Sequence, residues 1–419
     1  MRRRLRLAGL LTLAGALILP TGCSVGGSAA DSANTLSFML WDDGGESAQG
    51  YRDVIAAFEA EHPGVHVNFE TFNTNDYDTV LKSRLAGGAG PDVYGFDQKN
   101  LTDFIEAGYT TDLSGEPWFS TLTADAQREA GRNAPEGEAR YVPISQSGNG
   151  IIYNTQLFAQ AGITEEPQTF DELLAAADRL KEAGITPFAM SAQDNWWPQF
   201  ILYYAVAQHV FDEDPDFNDE LMAGQASFAG NEGWHESLEI YQDLVPYFMD
   251  NPLGTNQTVA QSAFLQGQAA MFPAPWILPE ARSAGMDVGY MNFPTTGTPD
   301  TGAMWGSYLV SLGVNPNNGK QELAGEFIGF LLSESQYPDF LAKVKAFPVT
   351  EGVDVSAIDP LYPDMQEAWE GHTLVSLLLP SSPAIQDTLL TQLQDLTGDR
   401  TDVDAVLSAM DDTMDEIRD

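Results

Sequence analysis

Apolar residues between positions 35 and 96 fall into two alternating rhythms. Leu36, Phe38 and Leu40 repeat every second residue, which predicts a strand. Tyr51, Val54, Ile55 and Phe58 recur at steps of three and four, the spacing of one helix face, and His62-Pro63-Gly64 ends that helix. Val65, Val67 and Phe69 alternate again. Tyr77, Val80, Leu81 and Leu85 return to the helical spacing, and Asp92-Val93-Tyr94-Gly95-Phe96 is a third strand-like run. Strand–helix–strand–helix–strand predicts a parallel, doubly wound lobe. Ligands meet such sheets at the carboxyl ends of the strands. That rule selects Trp41, Asp42 and Asp43, then Asn73, then Asp97 and Gln98.

A second α/β unit occupies residues 141–187. It opens on Tyr141-Val142-Pro143 and a polar run in which Gln146 and Ser147 are candidate ligand contacts, with Asn149 beside them. Ile151-Ile152-Tyr153 is strand-like, and Asn154 is placed to cap a helix carrying Leu157 and Phe158 that ends at Gly162. Thr169 and Glu172 have capping-box spacing ahead of the stripe Phe170, Leu173, Leu174, Ala177 and Leu180. Gly184 ends that helix, and 185–190 is the next strand. Asn195, Trp196 and Trp197 follow; adjacent side chains point to different sides, so one of the two indoles faces ligand. Trp234 shares a helical face with Leu238 and Tyr241 and is expected in the core. Trp118 and Trp369 are assigned to packing. Segments 288–290, 292–294 and 305–312 are expected to return to the first lobe, and the last third is helical.

The run Tyr141-Val142-Pro143, Ile152-Tyr153-Asn154, Leu157-Phe158, Ala161-Gly162 and Pro167-Gln168-Thr169-Phe170-Asp171-Glu172-Leu173 resembles the central signature of extracellular solute-binding proteins that feed ABC importers. Within these it is most similar to the carbohydrate-binding, maltose-binding-protein-like group. The resemblance extends more loosely from about residue 35 to the C-terminus. It implies a two-lobed periplasmic-binding-protein-like α/β fold, with discontinuous lobes and a hinged cleft. The expected lobes are residues 35–142 with 280–334, and 143–279 with 335–419, with chain crossings near 141–145, 276–287 and 332–337. It also implies a stacking aromatic at Trp276, after the 263–271 segment, although Ala274 stands where the family has Gly. The expected partners are the importer's membrane subunits, and ATP hydrolysis belongs to them.

Composition narrows the chemistry. The chain has 419 residues and a net charge of −42, so no basic surface is available for nucleic acid. Arg2, Arg3, Arg4 and Arg6 precede an apolar run at 7–19, too short to span a bilayer and of signal-peptide length. Leu19-Pro20-Thr21-Gly22-Cys23 then resembles a bacterial lipobox. Residues 1–22 are therefore expected to be a signal peptide, Cys23 a lipidated N-terminus and 23–34 a flexible tether. As Cys23 is the one cysteine, no disulfide and no cysteine-based metal site are expected. The five histidines are scattered, and neither metal nor cofactor is expected.

The candidate loops offer Trp41, Trp196, Trp197, Trp276 and Trp305 with Asp, Asn and Gln, but no arginine. Anion sites use Arg, Lys or bared helix N-termini. Sugar rings instead lay apolar C–H faces on aromatic planes, and their hydroxyls pair with amides and carboxylates. A neutral mono- or oligosaccharide, bound by a monomer, is the expectation. A quaternary-ammonium or other cationic solute in an aromatic cage is the alternative, and a secreted glycoside-processing enzyme the second. Asp42 and Asp43 could equally serve the dipole of the following helix, and Asn73 could be a turn residue.

Overall fold

The computed structural model describes residues 34–41, 46–96, 100–147, 149–296, 302–356, 358–376, 378–380 and 382–418. Cys23, Asp42, Asp43, Asp97 and Gln98, with the expected signal peptide, lie outside them. The strands are β1 (Thr35–Trp41), β2 (His66–Phe72), β3 (Val93–Phe96), β4 (Val142–Gln146), β5 (Ile151–Asn154), β6 (Thr186–Phe188), β7 (Ala269–Phe272), β8 (Val288–Met291), β9 (Ala303–Trp305), β10 (Tyr308–Val314) and β11 (Thr373–Val375). Two principal sheets result, ordered β2-β1-β3-β10-β4 and β6-β7-β5-β8, with β9 and β11 forming a separate ribbon.

In the first sheet β1 runs parallel to β2 and β3, as the alternating pattern predicts. The sheet is not parallel throughout, because β10 inserts antiparallel between β3 and β4. Both faces are covered. Leu36, Phe38 and Leu40 join Tyr51, Val54, Phe58 and Phe327 on one side; Met39 joins Tyr77, Leu81, Tyr94 and Phe104 on the other. A strand buried on both faces is apolar at consecutive positions, which explains Met39 between Phe38 and Leu40.

The local signals of the second unit act as read. Asn154 accepts from the backbone N–H groups of Gln156 and Leu157 at 3.0 and 3.1 Å. Thr169 accepts from the N–H of Glu172 at 3.3 Å, while the Glu172 carboxylate reaches back to the N–H of Gln168 at 2.8 Å. Gly162 and Gly184 sit at φ 74° and 75°, where a side chain would be strained. Trp234 is fully buried. Trp118 and Trp369 pack as assigned, their Nε1 groups donating to the Gly325 carbonyl and the Tyr290 hydroxyl.

Each crossing lies downstream of its expected place. β4 belongs to the first sheet and β5 to the second, so the first crossing is at 147–150. β8 was expected in the first lobe but pairs antiparallel with β5, so the second crossing comes after β8 and before β10. The helix Tyr337–Val344 was expected in the second lobe, yet Tyr337, Phe340 and Leu341 join the first-lobe core. The third crossing therefore follows it. The spacing at 288–290 specifies a strand, but sheet membership depends on a partner more than 130 positions away.

Asp92, 2% exposed, ties the first sheet together. Its carboxylate accepts from Ser37 N–H at 2.7 Å, Ser37 Oγ at 2.6 Å, Asn318 Nδ2 at 2.8 Å and Lys320 Nζ at 3.1 Å. Burial pushes its pKa up, but these bonds outweigh burial and hold it below the ordinary value. A lowered folded pKa stabilises fully above the unfolded pKa, and that contribution is lost as pH falls through the folded value. Asp92→Ala is expected to cost roughly 3 kcal/mol in urea unfolding at pH 7. The difference from wild type should shrink below about pH 4; an undiminished difference at lower pH would contradict the assignment.

Candidate ligand-binding site

The carboxyl ends of β6 and β7 carry the aromatic face of the second lobe. After β6, the Asp194 carboxylate accepts from the N–H of Gln257 at 2.7 Å, and its carbonyl accepts from the N–H of Trp197 at 3.0 Å. This turn sends Trp197 inward, fully buried, and Trp196 outward, 40% exposed. After β7, the short 3-10 turn Pro275–Ile277 presents Trp276, 38% exposed. Ala274 has φ −167°, an extended conformation open to any residue, so the missing glycine imposes nothing here.

The aromatic residues are layered. Trp196 and Trp276 lie with centroids 6.4 Å apart and planes at 38°. Phe200 meets them edge-on at 5.9 and 5.0 Å, and Trp197 lies 5.7 and 5.0 Å from the same two rings. Trp305 packs beneath Phe200 at 4.9 Å and against Tyr203 and Tyr204 at 5.4 Å. Only 6% exposed, it is part of the support and not of the contact surface. Asn195 is exposed beside Trp196.

Other expected contacts are already engaged. Asn73 is exposed but caps the helix Thr74–Ala86, accepting from the N–H of Asp76 at 3.1 Å and donating to its carboxylate at 2.5 Å. Trp41 is half-buried, edge-on to Tyr77 at 5.3 Å. Gly95 permits this, since a Cβ there would lie 3.0 Å from the indole. Gln146 exchanges backbone hydrogen bonds with Phe347. Ser147 Oγ lies 2.9 Å from Ser307 Oγ, and the Ser147 N–H donates to the Ser307 carbonyl at 2.8 Å, tying two crossings together. Asn149 is 1% exposed, with neither amide atom paired to protein.

Three features escaped the sequence reading. Phe200 fits a generic helical stripe. Gln386, on the helix Pro383–Thr397, donates from Nε2 to Gln199 Oε1 at 2.5 Å and accepts at Oε1 from the Tyr203 hydroxyl at 3.1 Å, pairing its amide with one on the helix of Phe200. At the seam, the buried Glu129 carboxylate accepts from Tyr141 Oη at 2.7 Å, Ser376 Oγ at 2.5 Å and Arg132 Nε at 3.0 Å. Burial works against the Arg132 charge, but Glu129 outweighs it and raises its pKa. A cavity of about 530 Å³ lies elsewhere, along the β8 edge between Gln168, Tyr290, Asn292, Asp364 and His372. Its aromatic residues, Tyr290 and Phe293, are buried and offer no open ring face. Volume points there, whereas the open ring faces are on the Trp196–Trp276 surface.

A model of the bacterial extracellular solute-binding protein family matches residues 42–338. The chain belongs to this family. Membership makes it a solute-binding protein and not an enzyme, and places it outside the cytoplasm. Among relatives, it is 31% identical over 217 residues to the melibiose/raffinose/stachyose-binding protein MelE of Bacillus subtilis, covering 51% of this chain and 49% of MelE. It is 28% identical over 192 residues to the multiple sugar-binding protein of Streptococcus mutans, covering 45% and 44%. The match thus spans about half the length of each. The fold matches apo RafE of Streptococcus pneumoniae with a TM-score of 0.76, 18% identity and coverage of 92% and 99%; RafE is also known in complex with raffinose. This solute-binding fold accounts for the two sheets and their repeated crossings. Among the described residues no helix is long and apolar enough to cross a membrane.

The burial difference predicts how the tryptophans separate. Trp197→Ala should lower stability by about 3–5 kcal/mol through the cavity it opens. Trp276→Ala should lose several times less, as urea unfolding of the ligand-free protein will measure.

Proposed function

We propose that this solute-binding protein captures a neutral carbohydrate between its lobes and delivers it to the membrane subunits of an ABC importer. The observation that carries this is the pair of exposed indoles, Trp196 and Trp276, on a fully packed aromatic support. Large apolar faces left open on a folded protein mark binding surfaces. The neighbouring polar groups, Asn195 and the Gln199–Gln386 amides, are of the kind that hydroxyls pair with. The sugar-binding relatives support the same class. A cationic solute needs aromatic faces converging on one point. Here the two planes differ by only 38°, and the Asp194 carboxylate is occupied by a backbone N–H.

The contacts from the first lobe are proposed at Trp41, Asp42, Asp43, Asn73, Asp97 and Gln98, with Gln146, Ser147, Asn195, Trp197 and Trp305 completing or supporting the site. Open and closed forms interconvert by rotation about the crossings, and a ligand touching both lobes stabilises the closed form by its differential contacts. The protein acts as a monomer, held to the outer face of the cytoplasmic membrane by a lipid on Cys23.

Calorimetric titration tests the ligand class. Wild type should bind a neutral saccharide with an affinity nearly independent of salt, since no ion pair is there to be screened. Tight binding of an anion, or a steep salt slope, would refute a neutral ligand. Trp276→Ala should cost about 2 kcal/mol of binding, on the order of 30-fold; affinity within about twofold of wild type would make Trp276 a packing residue.

The anchor is tested separately. Cys23→Ser should shift the protein from the membrane fraction to the medium on immunoblots. A variant as firmly membrane-bound as the parent would rule out the lipid.

A further inference from the structure

The helix that carries Phe200 continues into a π-helical turn, Ala207–Phe211. Side chains of this turn and of the residue after it hold both described limbs of the crossing between β8 and β10. On the outgoing limb, Gln208 Oε1 accepts from the Thr295 hydroxyl, and His209 Nε2 lies 3.0 Å from the Thr295 carbonyl oxygen. On the returning limb, the Asp212 carboxylate accepts from the Ala303 N–H at 2.9 Å. The other ring nitrogen of His209, Nδ1, lies 3.0 Å from Glu236 Oε2 on the helix Glu232–Leu244. Thr295 is buried, and only 17% of the His209 side chain is exposed, so water does not freely replace these partners. A carbonyl and a carboxylate both accept and neither donates. A neutral imidazole has one N–H, so it satisfies one of them and turns a lone pair on the other. The imidazolium donates to both.

We propose that His209 is a proton-dependent clamp: doubly protonated, it ties the outgoing limb of this crossing to the helix Glu232–Leu244, and deprotonation breaks one end of the tie. The tie is complete at low pH and is lost as pH rises through the titration of the ring, which for a histidine falls in the range of roughly pH 5–8. The charged groups around the ring are mostly acidic. The helix Glu232–Leu244, whose Gly233 packs on the His209 carbonyl, brings Glu232, His235 and Glu236. His235 is itself 3.2 Å from Asp404 and 3.6 Å from Glu239. The turn's own end brings Asp212 and Glu213, and burial pushes the hydroxyls of the preceding Tyr203 and Tyr204 up, so both stay uncharged. Residues 292–296 and 303–305 bring no ionisable side chain. A further titratable ring, His372, lines a small cavity with Gln208 and Asn292. Lobe rotation as proposed above must bend this crossing, so acidification stiffens the joint. That consequence rests on the hinge reading, whereas the clamp itself is tested without ligand.

The test is hydrogen exchange of the ligand-free protein, read by mass spectrometry at about pH 5.5 and about pH 8. Rates are converted to protection factors, so that the intrinsic pH dependence of exchange drops out. Peptides within 288–307 should be protected roughly threefold or more better at the lower pH. His209→Gln should abolish the difference by lowering protection at the lower pH to the level seen at the higher. Glu236→Gln should abolish it the other way. A glutamine amide can donate to a neutral Nδ1, leaving the Nε2 proton for Thr295, so protection should stay high at both pH values. Glu236 is half exposed, so this variant reports on the clamp even where His209→Gln fails to fold. Equal protection of the wild type at both pH values would overturn the proposal. So would a pH difference that persists in Glu236→Gln, which would move the effect to His372. Neither result bears on the carbohydrate reading.

Discussion

The parallel pairing of β9 with β11 holds two hydrophobic cores on opposite sides of one narrow ribbon. Met304 pairs with Leu374, and both enter the first-lobe core; Trp305 pairs with Val375, and both face the second. Because strand side chains alternate, three residues suffice to belong to two cores at once. Gly306 follows directly, where a Cβ would collide with Leu374 at 2.0 Å and approach the Asn149 amide at 3.0 Å. The crossings can thus lie close together. That closeness makes a rotation of one lobe on the other geometrically simple, since few residues must change their backbone angles.

The same ribbon fixes the depth of the aromatic face. Trp305 is anchored on it, Phe200 rests on Trp305, and Trp196 and Trp276 rest on Phe200. An exposed tryptophan forgoes burial free energy of about 25 cal/mol per Å² of apolar surface. Here two adjacent ones do so above a support that is itself buried. Rigid aromatic planes with their rotamers locked from below lose little entropy when a ligand settles on them. On the proposed reading the arrangement favours binding over stability, and its energetic cost is borne by the large core beneath.

Local signals were fully legible in the sequence. Caps at Asn154 and Thr169, left-handed glycines at 162 and 184, and the inward–outward split of Trp196 and Trp197 follow from neighbouring residues alone. Non-local choices were not. The sheet that receives β8 is decided by β5, and the antiparallel insertion of β10 by strands more than 160 residues earlier. Glu129 and Ser376 meet across 247 positions, and no spacing encodes that. Asn73 shows a second kind of limit: the residue suited to a sugar hydroxyl is equally suited to a helix N-terminus, and in this structure it caps the helix Thr74–Ala86. Trp305 shows a third, since an indole in a candidate loop can serve as the floor under the exposed ones.

The charge of the chain bears on how such a site is filled. At −42 the surface potential steers cations inward and anions away, but exerts no net pull on a neutral sugar. Encounter then depends on diffusion and on how much of the site one lobe displays by itself. The two exposed indoles and their support all belong to the second lobe, so a sugar can settle on that face before the first lobe approaches. On the proposed reading, stacking captures the ligand, and the polar groups of the first lobe act afterwards, when closure brings them to the hydroxyls. Affinity is then set mainly by the second lobe, and the closed fraction by the first. Substitutions on the two lobes should accordingly separate initial binding from closure.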